Sequence, residues 1–295
     1  MLRKIELDLV RLVLPVEPKW FSAVIDNLEF IAEEYGFECE KVFKKHTRKW
    51  LLRMKHGDEQ MTVAAYYVYK YRRIEYRFKG EVDYLAFQGY VQLLNEYGLG
   101  NAMRYGRIKR LELAIDIPGV HTKDLICHRG GLQLGKIVTN AAGNGRTIYL
   151  GSSDGETQFA IYDKAQELKD KGHVHPTGDL LRVEIRLLNR ESDFWQLVKE
   201  LHEDDPFRKF MITKRSSLQA EQKMLKNWHI LLETCSLYGV PYAIKQFPVQ
   251  RKTLLNALKE HTVGSLKPKL ANFEHVFGRF MLAAHSLDLL GHVVH

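Results

Sequence analysis

A tyrosine, an acid and a base follow one another at Tyr162, Asp163 and Lys164, inside the segment TIYLGSSDGETQFAIYDKAQELKD. The segment alternates like a strand up to the tyrosine and takes helical spacing after it. A phenol has a pKa of about 10, so it acts as a nucleophile only when a metal, a base or a cation favours the phenolate. Lys164 shares a strand face with Tyr162 and can supply that cation. The same pattern is also typical of a tyrosine used only for packing or a surface hydrogen bond.

Carboxylates on three other segments suggest a second kind of chemistry. RLELAID places Glu112 and Asp116 on one strand face, LLRVEIRLL places Glu184 on its polar face, and RRIEYRF does the same with Glu75. Taken singly, each acid is typical of the solvated face of a sheet. Gathered on one face, they would repel one another unless a divalent cation such as Mg²⁺ or Mn²⁺ neutralised them.

Composition excludes several classes of protein. The three cysteines, Cys39, Cys127 and Cys235, are far apart in the 295 residues, which predicts reduced structural thiols rather than disulfides or a zinc site. No apolar run approaches the roughly 18 to 20 residues needed to span a bilayer. We therefore expect a cytoplasmic protein without a membrane partner.

The positive charge is concentrated in the last third of the chain. Residues 207–295 contain thirteen Lys or Arg and five acids, which accounts for the whole net charge of +8. Such a segment favours a polyanionic partner, of which nucleic acid is the commonest, although solvated helices are often Lys-rich too.

The elements that position these residues are of two kinds. Up to about residue 190, strands alternate with two amphipathic helices, over residues 18–36 and 83–98, which predicts an α+β fold with a largely antiparallel sheet and helices on one side. From residue 192 onward the pattern is almost wholly helical, with helices predicted over residues 193–203, 217–239, 250–261 and 269–290. We predict a catalytic α+β domain over residues 1–190 and a basic helical region over 191–295. In the latter, QRKTLLNALKEH presents Arg251, Lys252 and Lys259 on a helix whose leucines pack inward.

The order of these motifs resembles the Rep-trans family, the rolling-circle replication initiators of small plasmids of Gram-positive bacteria. RLELAID, then TQFAIYDKAQE, then LLRVEIRL followed by an acid and FW carry the resemblance, which is strong from about residue 106 to 197. RRIEYRF extends it upstream. Residues 1–70 and the helical tail agree only in general layout.

The resemblance implies a DNA nickase and ligase. Tyr162 would be the nucleophile that becomes linked to the 5′ phosphate at the double-strand origin, and Lys164 would support it. Glu112, Asp116 and Glu184 would hold the Mg²⁺ or Mn²⁺ ion, with Glu75 in reserve. Two departures leave two points open. The family often has Arg where this chain has Ala160, which leaves open the side chain that supports the phosphate. It often has an acid where this chain has Arg186, which leaves open whether the site contains a fourth carboxylate.

The expected partners are origin DNA extruded as a hairpin, bound through Arg251, Lys252 and Lys259, a host helicase, and a second copy of the chain. Two alternatives remain at this stage. One is a relaxase-like nickase of a conjugative element or phage, and the other is a non-enzymatic DNA-binding regulator with the same fold. A tyrosine recombinase is disfavoured because no tyrosine follows Tyr242.

Overall fold

The structure is a computed structural model. It describes residues 5–15, 38–44, 47–56, 59–68, 71–79, 107–139, 146–173, 176–190, 194–203, 210–219 and 226–262, with a few isolated residues between these ranges. The predicted helix over residues 83–98 and the last predicted helix, over 269–290, lie outside the described residues. The described residues between 22 and 33 are helical, in agreement with the helix predicted over 18–36.

Strands make up most of the first 190 residues. They are β1 (Ile5–Pro15), β2 (Glu38–Lys44), β3 (Thr47–His56), β4 (Glu59–Val68), β5 (Tyr71–Lys79), β6 (Arg107–Pro118), β7 (Leu125–Arg129), β8 (Leu134–Thr139), β9 (Arg146–Leu150), β10 (Thr157–Asp163), β11 (Leu180–Leu188) and β12 (Phe210–Lys214). Ten of them form a sheet in the order β2-β3-β4-β5-β1-β6-β11-β10-β9-β8, and β12 pairs with β7 in a second sheet. The large, largely antiparallel sheet confirms the predicted α+β class.

The described helices are α1 (Lys164–Asp170), α2 (Phe194–Glu203), α3 (Arg215–Gln219), α4 (Trp228–Tyr238), α5 (Val240–Gln246) and α6 (Arg251–Glu260), with 3-10 turns at Thr122–Asp124 and Pro248–Gln250. Within the described ranges, no helix combines the length and the apolar character that a membrane span requires.

The chain divides into two compact units. One comprises residues 6–113, 187–203 and 270–295; its described part contains the antiparallel meander β2 to β5, with β1 paired to β5, and α2. The other comprises residues 1–5, 114–186 and 204–269; it contains antiparallel β8, β9 and β10, the β7–β12 pair and the remaining helices. The domain boundary near residue 190 stays a prediction.

Strand β6 is buried on both faces. Leu111, Leu113 and Ile115 are buried on one face as predicted, but Glu112 and Ala114 on the other face are buried as well. The expectation that the polar face of β6 meets solvent is therefore wrong for Glu112. It is also wrong for Glu184 on β11, where residues 181–185 are all buried. Sequence alternation distinguishes two faces, but it does not show whether something covers the polar one.

The helical region has its own apolar core. Trp228, Leu231 and Leu232 of α4 pack with Leu254 and Leu258 of α6. The indole N–H of Trp228 donates to the carbonyl of Leu218 at 2.8 Å, so the buried ring keeps its hydrogen bond. The inward packing predicted for the leucines of α6 is confirmed, with Leu255 only partly buried.

Two details differ from the prediction of an almost wholly helical region. FMITK forms strand β12, because a run rich in β-branched and large apolar residues can pair with β7. The helix expected over residues 217–239 is not continuous, since Asn227 has a φ of 64° and α4 begins only at Trp228. That left-handed conformation ends helical propagation, and Asn tolerates it better than most residues.

Candidate active site

Strand β10 carries Tyr162 on one face and is fixed in the core by the side chains of its other face. Phe159 is completely buried and stacks on Phe210 with ring centroids 4.6 Å apart. Side chains alternate along a strand, so Ala160 and Tyr162 project from the other face. In the register with β9, Ala160 lies opposite Tyr149 and Tyr162 opposite Thr147. Tyr162 is half-buried, near the end of a strand whose other face is fixed in the core.

The chain turns from strand to helix directly after Tyr162. Asp163 is the N-cap of α1, and its side chain accepts a hydrogen bond from the backbone N–H of Gln166 at 2.9 Å. Such a cap satisfies one of the helix's orphan donors and fixes where the helix begins. The Nε2 of His121 lies 3.5 Å from the other carboxylate oxygen of Asp163, which links the turn at Thr122–Asp124 to the strand end.

Lys164 is held by its own helix. Its ammonium donates to Glu167 at 2.6 Å, and Glu167 also accepts from Lys171. Burial by itself would raise the pKa of Glu167, but the two lysine hydrogen bonds outweigh burial and the pKa is lowered. Glu167 is therefore a carboxylate at neutral pH and fixes the position of the Lys164 charge.

Three carboxylates lie close enough together to hold a metal ion. Asp8, Glu112 and Glu184 each offer one oxygen, and these oxygens all lie within 4.8 Å of one another. They stand on β1, β6 and β11, which are consecutive in the sheet order. Glu112 is only 4 % exposed and Glu184 only 2 %. Oxygen donors of this kind suit a hard divalent cation, so this buried acidic cluster could bind a metal.

Both glutamates of this cluster also have an arginine partner. Glu112 pairs with Arg110, and Glu184 accepts from the Nε of Arg186 at 2.7 Å. Buried charges are tolerated when they are paired, and these guanidinium groups supply the pairing. A carboxylate has two oxygens and can contact an arginine and a metal together.

Asp116 and Glu75 have other surroundings. Asp116 makes a bidentate ion pair with Arg182 at 2.7 and 2.8 Å, and Glu75 pairs with Arg11. Neither belongs to the acidic cluster found among the described residues. Of the three predicted ligands, the cluster contains Glu112 and Glu184 together with Asp8, whereas Asp116 lies outside it.

Sequence reasoning missed Asp8, although a local signal existed. In the strand IELDLV, alternation places Asp8 on the polar face opposite Leu7 and Leu9. What the sequence lacks is any sign that β1 neighbours β6, about a hundred residues later in the chain.

Helix α6 exposes the predicted DNA-binding residues. Arg251, Lys252 and Lys259 are exposed, while Leu254 and Leu258 are buried beneath them. The three charges can therefore contact a polyanion without disturbing the core.

Comparison with known proteins gives three results. Residues 121–252 match the model of the Rep_trans family, described as replication initiation factor. A solved structure titled "Structure of Rolling Circle Replication Initiator Protein from Geobacillus stearothermophilus" is 15% identical, with a TM-score of 0.40, over 80% of this chain and 98% of that one. No curated protein matches. A likeness at that TM-score carries no weight for function.

The family match includes Tyr162, Lys164 and Glu184 and ends within α6. It confirms the resemblance seen in the motifs and extends it into the helical region. Over residues 121–252, this chain is therefore similar to the Rep_trans family of replication initiation factors.

Proposed function

We propose that this protein initiates rolling-circle replication by nicking and rejoining DNA at a double-strand origin, with Tyr162 as the nucleophile. The observation that carries the proposal is the match to the replication initiation factor family, which includes the strand end bearing Tyr162 and the strand bearing Glu184. The half-buried phenol on an anchored strand supports it, because a nucleophile must be held in place and still be reached.

The proposed reaction conserves the phosphodiester. The phenolate oxygen of Tyr162 attacks the phosphorus, the bond to the 3′ oxygen breaks, and that oxygen takes a proton to become a 3′ hydroxyl. The 5′ phosphate stays linked to the tyrosine. The hydroxyl can prime a polymerase, and attack by a 3′ hydroxyl on the phosphotyrosine rejoins the strand without ATP.

Three acids would hold the divalent metal in this proposal, namely Glu112 and Glu184 with Asp8. A bound Mg²⁺ or Mn²⁺ ion would polarise a phosphoryl oxygen and stabilise the charge that develops on it. Asp116 remains a proposed ligand only if it leaves its pair with Arg182. Lys164 would supply positive charge near the phenolate.

DNA contact would extend to α6. The exposed Arg251, Lys252 and Lys259 would bind phosphates of the origin, which position the protein rather than read the sequence. A host helicase and a second copy of the chain remain proposed partners.

The proposal is tested with a supercoiled plasmid that carries the cognate origin, incubated with the protein and either Mg²⁺ or a chelator. We expect open circles and DNA-linked protein only when the metal is present. Binding without any nicking in Mg²⁺ or Mn²⁺ would contradict the proposal and favour a non-enzymatic regulator.

A further inference from the structure

Two cations lie against one aromatic ring beside the strand that carries Tyr162. The ammonium of Lys136 on β8 is 5.0 Å from the ring centroid of Tyr149, and the guanidinium carbon of Arg186 on β11 is 5.7 Å from it. Either contact is an ordinary cation–π interaction. Together they bring two like charges to one ring, and an anion placed near both charges would be attracted by each of them.

A backbone irregularity directs Lys136 to this ring. The register between β8 and β9 shifts between Leu134 and Lys136, which brings Lys136 opposite Tyr149. Such bulges re-aim side chains and are common next to active sites.

Glycines make the bulge possible. A Cβ on Gly135 would lie 2.5 Å from the carbonyl oxygen of Gly151, and one on Gly151 would lie 2.6 Å from the carbonyl oxygen of Thr157. Gly151 also has a φ of 86°, which side chains rarely adopt. The close backbone approach that aims Lys136 therefore requires glycine at both positions.

No acid balances the charge of Lys136 in the part of the chain that the structure describes, where its ammonium lies against the Tyr149 ring. Arg186 is balanced by Glu184 at 2.7 Å and also reaches the amide oxygen of Gln158 at 3.5 Å. The group formed by Lys136, Tyr149 and Arg186 is therefore left with one net positive charge.

The position of Lys136, Tyr149 and Arg186 relative to Tyr162 indicates which ligand they would bind. Tyr149 lies opposite Ala160, so its side chain projects from the sheet face that carries Ala160 and Tyr162. Ala160 and Tyr162 share a strand face two residues apart, roughly 7 Å. That is about the step from one phosphate to the next along an extended DNA strand.

We propose that Lys136, Tyr149 and Arg186 bind a phosphate of the single-stranded DNA next to the phosphate attacked by Tyr162. This inference rests on the proposed function and names a binding site for it. Lys136 would contribute charge from the edge strand, and Tyr149 would keep both cations in place before DNA binds.

The test measures binding of a fluorescent oligodeoxythymidylate of about twelve nucleotides. Tyr162→Phe protein is compared with the same protein carrying Lys136→Gln, over about 50 to 200 mM salt. We expect Lys136→Gln to reduce the slope of log affinity against log salt by about 0.7, the value for one single-strand phosphate contact. Lys136→Arg, which keeps the charge, should retain the slope.

The matched control is Lys199→Gln, which removes an exposed lysine from α2. Equal slopes and affinities for the Lys136→Gln and Lys199→Gln proteins would overturn the inference. So would a reduced slope in Lys136→Arg, because a phosphate contact needs the charge rather than the amine.

This result is separable from the test of the proposed function. If Lys136→Gln lowers the slope of log affinity against log salt in a protein that never nicks origin DNA, the phosphate site is supported and the proposed nicking activity is rejected. If the protein nicks DNA in a metal-dependent way and Lys136→Gln does not change binding, the nicking activity is supported and the phosphate site is rejected.

Discussion

Glu184 combines burial, an arginine partner and a place in the acidic cluster. It is 2 % exposed, accepts from Arg186 at 2.7 Å and lies with Asp8 and Glu112. Removing one partner of a buried ion pair leaves the other charge uncompensated, which typically costs about 3 to 5 kcal/mol. A Glu184→Ala protein could therefore lose activity through loss of metal binding or through loss of folding. Replacement by glutamine, which has the same shape, separates the two effects better.

Glu184→Gln should reduce metal-dependent nicking by about 100-fold or more while the fold persists, because the amide keeps the shape and loses the anionic oxygen. The measurement is the nicking rate against metal concentration, with circular dichroism to verify folding. The matched control is Glu200→Gln, on the exposed face of α2. Unchanged nicking by a folded Glu184→Gln protein would place the metal elsewhere.

Tyr162→Phe should abolish both nicking and the covalent protein–DNA adduct, with little change in DNA affinity, because only the nucleophilic oxygen is removed. Gel analysis of the plasmid and of denatured protein–DNA adducts measures both effects. Tyr238→Phe is the matched control, since it removes a hydroxyl from an exposed tyrosine at the end of α4 and keeps the ring. A Tyr162→Phe protein that still forms the adduct would exclude this residue as the nucleophile.

Helix α6 separates its charged and apolar faces cleanly. Leu254 and Leu258 are fully buried, whereas the basic side chains are exposed. A change in DNA affinity after replacement of the basic residues can therefore be attributed to lost DNA contacts, because the buried leucines are unaffected.

Replacing Arg251, Lys252 and Lys259 together by Gln should weaken origin binding and flatten its salt dependence. The log–log slope should fall by up to about 0.9 for each duplex phosphate that the protein no longer neutralises. Titrations of an origin duplex at several salt concentrations measure this. Cleavage of a short single-stranded oligonucleotide should survive in this variant, because that reaction uses the sheet and Tyr162. Full affinity for the origin with an unchanged salt slope would mean that these side chains face solvent and do not contact DNA.

At the scale of the whole molecule, the two cysteine side chains that the structure describes have a structural role in the core. Cys127 and Cys235 are both free and buried, and burial raises the pKa of each thiol to about 12. The reactive thiolate is therefore scarce at neutral pH. The side chain of Cys39 lies outside the described residues.

A Cys39→Ser protein should leave both remaining thiols unreactive toward a disulfide reagent at pH 8 in the native state, because neither forms thiolate well below a pKa of about 12. Both should react on unfolding in denaturant, where their pKa returns to the ordinary range of about 8.5. Absorbance of the released reporter measures the reaction. Rapid reaction of native protein would contradict the burial of these thiols.

The sequence by itself determined the local elements and several of their faces. Period-two alternation located β6, β10 and β11, and the change of period after Tyr162 located the start of α1. The leucines of α6 likewise indicated its buried face. These features depend on neighbours within a few residues, whose spacing is written directly in the chain.

Only the tertiary structure decided what those elements meet. Asp8 joins Glu112 and Glu184 because β1, β6 and β11 are neighbours in the sheet, although they are far apart in sequence. Glu112 and Ala114 are buried although the sequence pattern places them on the polar face of β6. The bulge at Gly135 that places Lys136 opposite Tyr149 likewise depends on the close approach of the Gly151 backbone. Alternation fixes the face on which a side chain lies, but strand pairing over long sequence separation determines its partners, and no local pattern encodes that pairing.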